Sequence, residues 1–237
     1  KRMRTVIRHK PPEAGAVYEF PEVLELVDQN EKPTGIKILK AAHTPVPVEI
    51  DRFPESVAEV ELQYPNGQSE VLRLVGPTTV EVKVGPNGEA DDSNGDGRDE
   101  VETEMVQLSL RGTSSQGPVE LRLRDPSKHP NQRSVGTITE VANTQPGRLD
   151  VPPFASSGQA VSEFGVYFEV VVGELIFHAD KPKRMRTVID HKPPGAGTTY
   201  EFPEVIELLT ENDQPTGIRI GRAAHTPVPP GPEIDHF

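Results

Sequence analysis

The sequence predicts an all-β fold: antiparallel β-sandwich modules, immunoglobulin-like or jelly-roll-like, set in tandem with little helix. Three observations carry this. Apolar and polar residues alternate with period two along most of the chain. The 25 Pro and 20 Gly among 237 residues fall at regular punctuation points, not in one low-complexity block. A long block of sequence also occurs twice. Together these describe roughly eight to eleven short strands joined by turns.

In chain order, Val60, Leu62 and Tyr64 alternate with Glu59, Glu61 and Gln63. Pro65-Asn66-Gly67-Gln68 follows, where Asn-Gly favours a type I′ hairpin turn, and a return strand is expected near Glu70–Val75. Val80, Val82 and Val84 alternate before Pro86-Asn87-Gly88. Val106, Leu108 and Leu110 repeat the pattern, as do Val119, Leu121 and Leu123 between outward Glu120, Arg122 and Arg124. Thr137–Val141 is a shorter candidate. Phe164–Phe177 reads as one long central strand, or as two with a break at Gly173. Further strands are expected over Thr187–His191, Thr199–Ile206 and Gly217–Ala223, with a turn from Asn212 to Gly217; Pro203–Leu209 could instead form a short helical turn.

Residues 1–47 recur at 183–229 with an ungapped offset of 182 residues and 34 identities in 47 positions. The match then shifts by two residues across a Pro-rich stretch and resumes at Glu-Ile-Asp-X-Phe. Variable length and Pro richness mark linkers. The expected organisation is therefore a C-terminal part of a preceding repeat (1–48), one full repeat module (49–230) and the start of the next (231–237). Residues 1–48 then hold strands without the rest of their module. Strand addition to a neighbouring sheet would satisfy their backbone and bury Val6, Ile7, Tyr18, Phe20, Ile36 and Ile38.

Composition narrows function. The net charge of -12 disfavours a phosphate backbone as partner, so no nucleic acid is expected. There is no Cys, hence neither a disulfide framework nor a thiolate metal site. No apolar run is long enough to span a bilayer as a helix. The seven His form neither HExxH nor a close pair, no G-x-S-x-G elbow occurs, and no carboxylate pair stands out. The basic cluster Lys183-Arg184-Met185-Arg186 reads as a solvated strand edge. Tyr18, Tyr64, Tyr167 and Tyr200 read as exposed rings able to stack on sugars. Glycan on the Thr-Pro segments at 44–47 and 226–230 is a further possibility.

The most specific local motif is Asp92-Ser93-Asn94-Gly95-Asp96-Gly97, which resembles the D-x-N-x-D-G start of EF-hand and dockerin calcium loops. That resemblance implies a structural calcium ion held by Asp92, Asn94, Asp96, the Arg98 carbonyl, Asp99 and Glu100. The twelfth position is Thr103 where an EF-hand has Glu. A solvated hairpin tip is the competing reading.

The repeat as a whole, with this loop, its Gly-Pro-Val-Glu-Leu-Arg strand and its His-Lys-Pro-Pro segment, resembles modules of giant secreted bacterial surface proteins, which carry no assigned activity. The resemblance implies secretion to the cell surface and partners that are copies of the same module. The expectation from sequence is a non-enzymatic structural subunit of an extracellular filament, sheath or stalk, with an adhesin or carbohydrate-binding repeat as the alternative.

Overall fold

The computed structural model describes residues 18–19, 23–39, 42–43, 48–201 and 203–230, and no described residue is helical. The chain divides into two compact units, Lys1–Val48 and Glu49–Phe237.

In the first unit, β1 (Tyr18–Glu19) pairs with β4 (Ala42–His43), and β2 (Leu24–Val27) forms a hairpin with β3 (Pro33–Ile38). Asp28 shapes the hairpin loop by accepting the backbone N–H groups of Asn30 and Lys32 on Oδ1. Of the residues expected to pair with a neighbouring sheet, Ile36 and Ile38 lie on β3, paired with β2, and Tyr18 on β1, paired with β4. Val6, Ile7 and Phe20 lie outside the described residues.

The second unit holds β5 (Glu49–Gln63), β6 (Ser69–Val82), β7 (Glu100–Ser114), β8 (Gly117–Leu123), β9 (Val135–Glu140), β10 (Ala160–Val166), β11 (Phe168–Val172), β12 (Leu175–His178), β13 (Lys183–Ile189), β14 (Tyr200–Glu201), β15 (Ile206–Thr210) and β16 (Pro215–Thr226). All pairings are antiparallel, and the sheet closes on itself. Its eight staves are β5, β6, β7, β8 with β9, β10 with β11, β12 with β13, β14 with β15, and β16, which returns to β5. Closure runs through both ends: β16 pairs with β14 and β15 on one side and with β5 on the other, from Arg219↔Gln63 to Thr226↔Val57.

This corrects the sandwich expectation. Alternation requires only that one face of each strand be buried, and a single sheet that meets itself buries that face as well as two stacked sheets do. Closure also leaves no open edge to manage. Three bulges make it possible. An extra residue on β5 between Phe53 and Ser56, on β7 at Val106 and on β16 between Ile220 and Ala223 each increases local twist and bends a long strand. The split of the other staves does the same work: β10 and β11 part at Tyr167, whose N–H is taken by Ser134 Oγ at 2.9 Å.

Two further local expectations change, and the break at Gly173 is one of the two readings the sequence offered. The β5–β6 turn is a three-residue loop, with Gly67 N–H donating to the Tyr64 carbonyl and only Gly67 at positive φ (82°), so it is not type I′. The apolar run Phe164–Phe177 breaks at Gly173, where φ is 61°, and folds back as the β11–β12 hairpin. Pro203–Leu209 forms no helical turn; Ile206–Thr210 is β15.

Gly76 sits opposite the β5 bulge, paired with Ser56. A Cβ there would stand 2.0 Å from the Ser109 carbonyl oxygen of β7. Backbone cannot yield as a side-chain tip can, so Gly76→Ala is expected to destabilise the fold by roughly 1–3 kcal/mol. Val71→Thr, on the solvent face of the same strand, is expected to stay within about 0.5 kcal/mol. Urea melts of both variants check this; a wild-type midpoint for Gly76→Ala would contradict the close approach.

Candidate functional site

The barrel interior is filled at one end and hollow at the other. At the end ringed by β8, β11, β12 and β15, the buried side chains of Leu62, Leu72, Leu110, Val119, Val170 and Leu208 form the core. Toward β9, β10, β13 and β14 a cavity opens, walled by Phe53, Ala58, Val80, Val82, Met105, Leu108, Ile138, Phe164, Val166 and Met185 among others. It offers about 90 Å³ to the centres of water-sized atoms. A single water needs only roughly 10–15 Å³ in that measure.

Few polar groups face it, and most are already engaged. Asp51 on β5 is buried and ion-paired at 3.0 Å with Lys192, which has no exposed surface and also reaches Glu49 at 3.0 Å. Burial raises the Asp51 carboxyl above its ordinary value, and Lys192 offsets part of that rise. The Tyr200 hydroxyl donates to Ser162 Oγ at 2.9 Å, and burial pushes its pKa up to about 12. Its ring meets Phe164 edge-on at a centroid distance of 6.1 Å. Lys183 Nζ donates to the Glu204 carbonyl. His225, opposite Tyr200 across the β14–β16 pair, lines the cavity with an imidazole that burial holds down to about 4, so it is neutral near pH 7. Thr78 on β6, 2% exposed, also lines the cavity, and its hydroxyl has no hydrogen-bond partner.

The internal repeat reports on this wall. Nine cavity residues come from the repeated block: Lys183, Met185, Pro194, Tyr200, Ile220, Ala223, Ala224, His225 and Pro227. Their counterparts 182 positions earlier are Lys1, Met3, Pro12, Tyr18, Ile38, Ala41, Ala42, His43 and Pro45, identical at every position. The 13 differences (47 less 34) all fall elsewhere. They include buried positions off the cavity, such as Ile206 against Leu24 and Gly221 against Leu39. Packing alone therefore does not explain which positions stayed the same. The two copies also share local geometry: Leu24↔Ile38 and Val27↔Pro33 repeat as Ile206↔Ile220 and Leu209↔Pro215.

The residues singled out from sequence lie apart from this cavity. Asp92, Asn94 and Asp96 form an exposed turn whose side-chain oxygens accept the backbone N–H groups of Gly95, Asp96, Gly97 and Arg98. Glu100 accepts from Ser93 and Asn94 across the same turn. Asp99 is placed differently. It is buried, and its carboxylate takes the N–H groups of Gly147 and Arg148 at 2.5 and 3.1 Å, while its own N–H donates to Glu140. Among the described residues, no group of three or more His, Asp or Glu side chains is placed to hold a metal. Two sequence readings of surface residues also change: Tyr200 is 5% exposed and Lys183 3% exposed, both on the cavity wall instead of in solvent.

No family model matches the chain. No curated protein matches it either. Among solved structures, the chain is similar to DynF from the dynemicin biosynthesis pathway of Micromonospora chersina, with a TM-score of 0.58 and 17% sequence identity, covering 79% of this chain and 84% of that one. The likeness is one of fold. It overturns the expectation of a filament, sheath or stalk subunit, together with its adhesin alternative and the exclusion of an enzymatic role: the fold is shared with DynF.

His225 makes the folded state sensitive to acid. Between its ordinary value of 6.5 and about 4, the unfolded chain takes up a proton that the folded imidazole does not. The stability it contributes is whole above pH 6.5 and is lost as pH falls through that window. Thermal melts from pH 7.5 to 4.5 should therefore show a steeper fall in Tm for wild type than for His225→Gln. Parallel curves would contradict an imidazole held neutral in the cavity wall.

Proposed function

We propose that the second unit binds a largely apolar small molecule inside its barrel, in the service of small-molecule biosynthesis. The observation that carries this is the identity of all nine repeated cavity residues while 13 other positions of the block differ. A wall kept without exception while other positions of the block change points to what the hollow holds. Eight-stranded barrels are wide enough to hold one small ligand, and an apolar lining with a few fixed polar groups is what such sites share. The fold likeness to DynF, a protein of a biosynthetic pathway, supports the same class.

A catalytic extension of this reading rests on one further feature. His225 and Tyr200 face each other across a strand pair at the cavity wall. A neutral imidazole can accept a proton, and a phenol can donate a hydrogen bond to an oxygen that gains charge. Acid–base chemistry on the bound molecule, such as enolisation beside a carbonyl, is the reaction class these two groups suit.

Titration with the neutral dye N-phenyl-1-naphthylamine tests the binding. Saturable fluorescence enhancement is expected with wild type. Ala58→Phe, which fills the hollow from β5, is expected to weaken binding at least tenfold while the barrel stays folded by circular dichroism. Undiminished dye binding in a folded Ala58→Phe variant would place the dye elsewhere and remove the proposal.

A further inference from the structure

The hollow contains one polar group with no visible purpose in the fold. Thr78 projects from β6 between Phe53 of β5 and Leu108 of β7, its register partners, and all three line the cavity. The next inward residues of its strand are Val80 and Val82. A Val at position 78 would continue that series with the same shape and no polar atom to desolvate. The Thr hydroxyl instead lies buried and unpartnered, which costs roughly 1–3 kcal/mol when nothing compensates it. The other cavity hydroxyls differ in this respect, because Tyr200 and Ser162 satisfy each other.

We infer that Thr78 is the polar anchor of the cavity, and that its ligand is an uncharged, mainly apolar molecule presenting one carbonyl or hydroxyl oxygen to the Thr78 hydroxyl. The charge of the ligand follows from what surrounds it. Lys192 is committed to Asp51 and Glu49, and His225 is neutral. The charged groups of the wall, Asp51, Lys183 and Lys192, already have partners, so a ligand carboxylate or ammonium would have to leave water for a largely apolar chamber, at a cost far above that of a neutral polar group. This inference rests on the binding proposed for the barrel and adds the chemical class of the ligand and the residue that reads it.

The experiment uses the full chain, wild type and Thr78→Val, with N-phenyl-1-naphthylamine as reporter and decan-2-one, decanoate and decylamine as competitors. The ketone is expected to displace the dye at least tenfold more tightly than either charged analogue. Thr78→Val should weaken the ketone about 5- to 10-fold, the size of one hydrogen bond. Its Tm should equal or exceed that of wild type, because an unpaired hydroxyl has been removed. Equal ketone affinity in the two proteins would mean that a bound water or nothing at all serves Thr78, and would overturn the assignment. Preference for decanoate or decylamine would overturn the neutral class. Absence of dye binding in both proteins would instead remove the cavity reading itself, and this one with it.

Discussion

The pairing of β16 with β5 is the contact on which the rest of the second unit depends. It joins the first and last staves, from Arg219↔Gln63 to Thr226↔Val57, and turns a meander with two open edges into a closed wall. Without it, the backbone groups along both strands would need other partners, and Val60, Leu62, Ile220 and Ala223 would lose their shared interior. The bulge on β16 between Ile220 and Ala223 lies within this very pairing. Closure and curvature are therefore set at the same place.

A closed eight-stave wall poses a packing problem that the sequence answers differently at its two ends. Leucines and valines fill one end. At the other, the chain supplies alanines at 58, 223 and 224, a Ser–Tyr pair, and a capping segment tied down by Lys192, whose N–H donates to the Pro152 carbonyl at 2.7 Å while its Nζ reaches Asp51. Removing either partner of the Asp51–Lys192 pair would strand a buried charge, which is far costlier than the pair itself is stabilising. The pair ties the segment that follows β13 to β5 at the cavity wall.

Much of the secondary structure was legible from residues alone. The alternation Val60-Leu62 and Leu72-Leu74, the Asn66-Gly67 turn and the break at Gly173 follow from local rules that hold in any antiparallel sheet. The closed barrel was not legible, because inward-facing residues look the same whether they meet a second sheet or the far wall of their own. What separates the two is a pairing between residues 57–63 and 219–226, which leaves no local mark. The site was obscured for a related reason. Asp92 to Asp96 advertise chemistry by spacing, yet their oxygens serve their own turn. Thr78, Ser162, Tyr200 and His225 are scattered along the chain and converge only after closure. One signal was present: His43 and His225, Tyr18 and Tyr200, and Lys1 and Lys183 belong to the unchanged subset of the repeat. Sorting the block into kept and altered positions, then asking which kept ones face inward, would have pointed to the wall.

Two of the three methionines, Met105 and Met185, line the cavity, and the third, Met3, belongs to the first copy of the block. Methyl carbon-13 labelling of methionine gives three reporters in one spectrum. If the barrel holds an apolar molecule, saturating N-phenyl-1-naphthylamine should shift the Met105 and Met185 resonances and show nuclear Overhauser contacts from its rings to both methyls. Dye that binds without perturbing either methyl would contradict an interior site.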